Sequence, residues 1–244
     1  MQRRLSGPPP RAPQSPPPRL LLTGFGPFPG TPENASALLV SALAKRLGQV
    51  KLAIELRAEI LPTEWKAAPD QVQSILKIFQ PDIALHFGVA SEATGFRLET
   101  MAQNARNRLS DATGHVHGRR RISATLPDQL LSTFPVDAIR QRLEALSIPV
   151  ELSCDAGQYL CNATLFRSLS LTMKSPRQRY GGAPITGFVH IPSALTDPDQ
   201  AHSLHYFGWS RAITGGLAIV ETCLAHASSS SMGQMTMGPA GVPV

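Results

Sequence analysis

One cysteine of this sequence stands where its thiol could act as a nucleophile. Cys161 lies in DAGQYLCNATLF, residues 155–166, near the start of a segment that we predict to be helical over 159–173. Backbone N–H groups at a helix start are unsatisfied and the helix dipole is positive there, which favours a thiolate over a thiol. The alternative is a buried packing cysteine, which is our interpretation of Cys154 and Cys223.

A thiolate nucleophile needs a proton partner, and this partner is usually a histidine. His190 ends a predicted strand over 185–191, and functional residues of α/β proteins gather at the carboxyl ends of strands. We expect the same sheet edge to carry Cys161, because a predicted strand over 150–153 precedes it. A structural role for His190 is the alternative. His86 falls inside an apolar run and is expected in the core.

A histidine base is commonly oriented by a carboxylate. Glu99 lies in GFRLETMAQN, shortly after a predicted strand over 82–89, and Glu92 is a rival nearer to the end of that strand. Each could also be an ordinary solvated acid of the surface.

The run GFGPFPG, residues 24–30, follows the first predicted strand. It contains neither GxGxxG nor a Gly-Lys-Ser/Thr sequence, so it does not match a phosphate-binding loop. Phe25 and Phe28 instead predict an apolar wall for a small flat ligand. Alternatively, the two rings anchor the loop to the core.

Two histidine pairs and an arginine cluster are weaker candidates. GHVHG holds His115 and His117, and HSLH holds His202 and His205, but no acid or cysteine completes a metal-binding set, so we predict no metal. The arginines lie around a predicted long loop over 106–125, and they lack the interleaved aromatic residues of a nucleic-acid site. A solvated loop, or one that binds an acidic group or a neighbouring subunit, fits better. The cluster comprises Arg97, Arg106, Arg108, Arg119, Arg120 and Arg121.

The chain that must position these residues has 244 residues and a formal net charge of +6. Residues 1–19 carry four arginines and no acid, so the remainder has a net charge of about +2 and gives little reason to expect nucleic-acid binding. Three cysteines are too few for a disulfide framework, and no apolar run reaches the roughly 20 residues of a membrane helix. We therefore expect a soluble cytoplasmic protein.

Apolar runs alternate with helical patterns between residues 20 and 225. This alternation predicts an α/β fold, a three-layer α/β/α sandwich with a mainly parallel central sheet. We predict one domain over 19–226, between a disordered Pro/Arg-rich tail over 1–18 and a disordered Ser/Gly/Met-rich tail over 227–244.

Four segments together resemble the type I pyroglutamyl peptidases, a family of cytosolic cysteine peptidases that remove an N-terminal pyroglutamate. These segments are LLLTGFGPFPGTPENAS, FGVASEATGFRLETMAQN, AGQYLCNATLF and GFVHIP, in the order that the family has. The resemblance implies that Cys161 is the nucleophile, His190 its base and Glu99 the orienting acid. It implies no metal and no organic cofactor.

The resemblance also implies how a substrate would be held. Phe25 and Phe28 would line the pocket of the pyrrolidone ring, Asn34 would hold the first loop in place, and the backbone at Val89 would hydrogen-bond the lactam. The partners would be peptides with an N-terminal pyroglutamate, and family members often form dimers or tetramers. The chain departs from the family at Pro29, Val89, residues 100–101 and the loop 105–111. These changes leave open a weak or inactive homologue that binds pyroglutamyl or other N-terminal groups.

Overall fold

The structure, a computed structural model, describes residues 16–50, 52–174, 184–193, 195 and 207–235. The elements in chain order are β1 (Arg19–Phe25), α1 (Ala35–Gln49), β2 (Glu55–Leu61), α2 (Ala67–Phe79), β3 (Ile83–Ala90), β4 (Phe96–Glu99), β5 (Met101–Gln103), β6 (Gln129–Leu131), α3 (Val136–Ala145), β7 (Val150–Ser153), α4 (Leu160–Thr172), β8 (Ile185–Pro192) and α5 (Trp209–Met235).

Six strands form the central sheet in the order β2-β1-β3-β8-β4-β7. Strands β2, β1, β3 and β8 are parallel, whereas β4 pairs antiparallel with β8 and parallel with β7. Helices α1, α3 and α5 pack together on one face, and α2 and α4 pack together on the other. The predicted three-layer α/β/α fold with a mainly parallel sheet is confirmed.

The central strands are apolar because both of their faces are covered. Leu20 and Leu22 of β1 join the core beneath α1 and α5, while Leu21 points into the core beneath α2 and α4. All three leucines are fully buried. Continuous apolar runs of this kind are typical of parallel strands with helices on both sides.

Strand β4 is absent from the predicted elements, and its direction determines the direction of β7, the strand that precedes Cys161. In register, Glu99 of β4 lies between Phe188 of β8 and Ser153 of β7. Because β7 runs antiparallel to β8, its carboxyl end does not lie at the edge of the sheet that carries His190. We expected Cys161 at that edge because it follows β7, and this reason is wrong. Residues 154–159 instead bring the chain back to the start of α4.

The carboxy-terminal helix differs from the predicted domain boundary. Helix α5 continues past residue 226 to Met235, whereas the sequence predicts disorder from residue 227. Ala227 is buried, and the hydroxyls of Ser228 and Ser229 donate to the carbonyls of Leu224 and Ala225 one turn earlier, so this segment extends the helix. The tail predictions for residues 1–15 and 236–244 lie outside the described residues.

The predicted long loop is held by polar side chains rather than by regular structure. Asn104 Nδ2 lies 2.9–3.0 Å from the carbonyl oxygens of Ser123, Leu126 and Pro127, which closes the loop at its base. In the middle of the loop, Asp111 accepts hydrogen bonds from the backbone N–H groups of Trp65, Thr113 and His115. Short strands β5 and β6 pair as the two stems of the loop.

Candidate active site

Cys161 is the second residue of α4, directly after the first helical residue, Leu160, and the N-cap residue, Tyr159. Its half-buried side chain lies over β3, where Gly88 leaves room for it. A Cβ atom built on Gly88 would lie 3.0 Å from the Cys161 sulfur and 2.7 Å from a ring carbon of Phe188. The glycine therefore allows the positive end of the helix to approach the sheet closely.

His190 lies on β8 beside Gly88, with which it pairs in register. Its Nδ1 is 2.8 Å from Glu99 Oε1, and both side chains are buried. Residues 97 and 99 share one face of β4, so Glu99 reaches under the imidazole although its backbone pairs with Phe188. The structure thus brings Cys161, His190 and Glu99 together in that order. Glu92 lies exposed in the turn after β3.

His190 has a raised pKa in spite of its burial. Desolvation lowers the pKa, but the charge of the Cys161 sulfur, the hydrogen bond to that sulfur, and the hydrogen bond and charge of Glu99 together raise it to about 9. The imidazole is therefore protonated at neutral pH, between the Cys161 sulfur and the Glu99 carboxyl group. Such a pair provides a nucleophile and a general acid in one arrangement.

The carboxyl ends of β1, β3 and β8 lie side by side, and they carry the other predicted residues. Phe25 ends β1, is buried, and has its ring centroid 6.4 Å from that of Phe188. The Phe188 ring is in turn 4.8 Å from the imidazole of His190. Val89 is half-buried near the carboxyl end of β3, which lies between β1 and β8 in the sheet.

The first loop places the last two predicted residues. Phe28 is half-buried in a tight turn in which its N–H donates to the Thr31 carbonyl and its carbonyl accepts from the Thr31 N–H. Gly30 in this turn has φ +82°, a conformation that L-residues rarely adopt. Asn34 donates to the Gly26 carbonyl and accepts from the Ser36 N–H, so it both caps α1 and holds the loop.

The sequence profile of the pyroglutamyl peptidase family matches residues 18–212. The chain belongs to this family. It is 35% identical over 210 residues to a pyrrolidone-carboxylate peptidase of Vibrio vulnificus, an alignment that covers 84% of this chain and 92% of the relative. It is 31% identical over 178 residues to that of Pyrococcus furiosus, covering 71% and 80%. A solved structure of pyrrolidone carboxyl peptidase from P. furiosus superposes with a TM-score of 0.72 at 25% identity, covering 86% of this chain and 99% of the other.

Two residues that sequence reasoning missed also shape this pyroglutamyl peptidase site. Gly88 could have been found, because a glycine inside an apolar strand often marks a close backbone approach. Asn162 is fully buried next to Cys161 and bonds the N–H and carbonyl of Gln103 and the carbonyl of Ala105. It therefore ties the start of α4 to the segment that follows Glu99. A polar residue inside an apolar helix was its only signal in the sequence.

The remaining candidates are not part of the contacts among Cys161, His190 and Glu99. His86 is fully buried and its Nδ1 is 2.7 Å from the Thr23 hydroxyl, so the prediction of a core residue is confirmed. Burial lowers the pKa of His86 to about 3. Cys223 is buried as predicted, but Cys154 is exposed because β7 lies at the sheet edge, and its interpretation as a packing residue is wrong.

The histidine pairs have separate outcomes. The rings of His115 and His117 lie 6.5 Å apart in the long loop. Within the part of the chain that the structure describes, no three His, Cys, Asp or Glu residues are grouped so as to hold a metal ion. His202 and His205 lie outside the described residues. Over the same part of the chain, no helix combines the length and the apolar character that crossing a membrane requires.

Proposed function

We propose that the protein is a cysteine exopeptidase that hydrolyses the amide bond after an N-terminal pyroglutamate. Cys161 acts as the nucleophile, His190 as general acid and base, and Glu99 as the residue that orients His190. The observation that carries this proposal is the buried chain of contacts from the Cys161 sulfur through His190 to Glu99, 2.8 Å away from Nδ1. Membership of the pyroglutamyl peptidase family supports it.

The reaction begins with attack of the Cys161 thiolate on the carbonyl carbon of pyroglutamate. The negative charge that develops on the carbonyl oxygen is stabilised by free backbone N–H groups in the first turn of α4. His190 then donates its proton to the leaving amine, and the C–N bond breaks. A water molecule, deprotonated by His190, hydrolyses the thioester, which releases pyroglutamate and regenerates the protonated His190 and the thiolate.

Substrate recognition rests on shape and on the lactam. Pyroglutamate carries no charge at its ring, so apolar contacts with Phe25 and Phe28 and hydrogen bonds to the backbone at Val89 distinguish it. Asn34 contributes by fixing the loop that carries Phe28. The proximity of Phe25 to Phe188, and of Phe188 to His190, supports a ring pocket beside the nucleophile.

The same proposal includes the cellular setting. Free thiols at Cys161, Cys154 and Cys223 suit a reducing cytoplasm. The partners are peptides with an N-terminal pyroglutamate, and the protein assembles as a homo-oligomer, a dimer or tetramer. Neither nucleic acid nor a metal ion takes part.

Fluorophore release from a pyroglutamyl coumarin amide tests this function, with the prolyl amide as the comparison substrate. We expect the wild type to cleave only the pyroglutamyl compound. Cys161→Ala should reduce the rate by about 10³-fold or more, because the nucleophile is removed. Cys154→Ala removes an exposed thiol and serves as the matched control, with unchanged activity. A folded, reduced wild type that releases no fluorophore would refute the proposal.

A further inference from the structure

A recess of about 290 Å³ lies on the outer surface between α2, α4 and the long loop. Its walls carry five basic side chains, and Asp70 is the one acid among its lining residues. The basic side chains are Lys66, Arg106, His115, His117 and Arg167. The recess is distinct from the active site, because Ala163 and Arg167 line it from a different side of α4 than Cys161 occupies.

Among the residues that the structure describes, no free carboxylate of the recess balances its positive charge. The carboxylate of Asp70 lies 2.7 Å from Lys66 Nζ, so it is already paired. Burial lowers the pKa of Arg106, and the nearby charges of Arg167 and Arg119 lower it further. The Nε atoms of Arg106 and Arg167 are buried without a hydrogen-bond partner among the described residues. The guanidinium groups of Arg106 and Arg167 thus repel each other, and the one acid among the described lining residues, Asp70, is paired with Lys66.

The frame of the recess is fixed by hydrogen bonds and packing of Trp65 and by a hydrogen bond of Arg106. The Trp65 indole donates to the Leu109 carbonyl, its backbone N–H donates to Asp111, and its ring packs edge-on against Tyr159 at 5.0 Å. Arg106 donates to the Ile122 carbonyl, which holds its side chain in the recess wall. Trp65 and Ile122 also supply apolar surface beside the charged groups.

We propose that this recess binds a phosphate-type oxyanion, carried by inorganic phosphate or by a small phosphate monoester. Guanidinium groups match the geometry of phosphate oxygens and bind them with charge-assisted hydrogen bonds. The volume exceeds the need of a single phosphate ion, and the apolar wall of Trp65 and Ile122 suits the organic part of a monoester. Tyr159, the N-cap residue of α4, packs on Trp65, so one wall of the recess is joined to the start of the helix that carries Cys161.

Calorimetric titration of the full-length protein tests this site with inorganic phosphate and with phenyl phosphate, at constant ionic strength set by chloride. We expect saturable binding of at least one of the two. Arg167→Gln should weaken it by about tenfold or more, because a charge-assisted hydrogen bond is lost. Arg140→Gln removes the same charge from α3 on the other face of the sheet and is expected to bind as the wild type does.

The two probes distinguish the sources of the anion. Tighter binding of phenyl phosphate indicates a monoester, whereas equal or weaker binding indicates the free ion. Thermal unfolding of each variant in chloride verifies that it is folded. Absence of saturable heat with both probes, or equal weakening in Arg167→Gln and Arg140→Gln, would overturn the proposal. The readout is binding, so it is independent of peptidase activity and should persist in Cys161→Ala.

Discussion

Two histidines on adjacent strands show how single contacts decide the charge of a buried residue. His86 on β3 and His190 on β8 are both almost completely buried. The ring of His86 meets a neutral hydroxyl of Thr23, and burial lowers its pKa to about 3. His190 meets the sulfur of Cys161 and the carboxylate of Glu99, and its pKa rises to about 9. Burial alone lowers the pKa of a histidine, and the hydrogen bonds and charge interactions with Cys161 and Glu99 raise it again.

This balance predicts the effect of replacing Glu99. In the wild type we expect kcat/KM to fall as the pH rises through about 9, because His190 loses the proton that it must donate. Glu99→Gln removes a charge that raises the pKa of His190, so this alkaline limb should move to lower pH. The rate should also fall by about 10²- to 10⁴-fold, since the imidazole is no longer oriented and stabilised.

The pH profile of kcat/KM with the pyroglutamyl coumarin amide measures both effects. Glu92→Gln changes the same residue type at an exposed turn and is the matched control. An alkaline limb that stays in place in Glu99→Gln would contradict the assigned role of Glu99.

Among the elements, β3 and α4 set the position of the nucleophile through Gly88. Gly88→Ala places a methyl group 2.7 Å from a ring carbon of Phe188 and 3.0 Å from the Cys161 sulfur. We expect the sulfur to shift by a few tenths of an ångström and kcat to fall by about tenfold or more, because misplacement of reacting groups is costly.

Gly187→Ala on β8 is the control for that change. The added methyl group there meets the Phe134 ring on the opposite face of the sheet, so it should lower the melting temperature without a comparable loss of kcat in the folded protein. Melting temperature and kcat are measured for both variants. Equal kcat values for Gly88→Ala and the wild type would argue against close contact between β3 and the nucleophile.

The elements also show what the sequence could predict. Strands β1, β3 and β8 and helix α4 carry clear apolar patterns and lie where the sequence predicts them. They contain Phe25, Val89, His190 and Cys161, respectively. Strand β4 was missed because four residues, FRLE, are too few to establish a period. The direction of β7 depends on its pairing with β4, which no local pattern encodes. The residue types left Glu92 as a rival of Glu99, and the resemblance to the family selected His190 and Glu99. Neither indicated the route by which the chain brings them together.

At the scale of the whole molecule, the contributions of the two buried histidines to the free energy of unfolding depend on pH in opposite directions. The folded pKa of His86 is depressed to about 3, so its contribution is present above the unfolded pKa of about 6.5 and is lost as the pH falls through about 3. The folded pKa of His190 is raised to about 9, so its contribution is complete below about 6.5 and is lost as the pH rises through about 9.

His86→Gln should therefore flatten the acid side of the stability profile. Between about pH 6 and pH 4 the unfolded wild type binds one more proton at residue 86 than the folded state does. As the pH is lowered through this range, the free energy of unfolding should therefore decrease less steeply in the variant than in the wild type, by about 1.4 kcal/mol per pH unit. Urea denaturation at several pH values measures this slope. Identical slopes for the two proteins would show that His86 is not buried in its neutral form.

The sheet order has a consequence for how the protein is made. Strand β8 is the last strand to leave the ribosome, yet it lies at the centre, between β3 and β4. The amino-terminal strands can pair with one another, and β4 can pair with β7, but among the described strands only β8 joins the two groups. A nascent chain that ends before residue 190 therefore holds the cysteine without its proton partner. Synthesis itself therefore keeps the candidate site incomplete until residue 190 has been added to the chain.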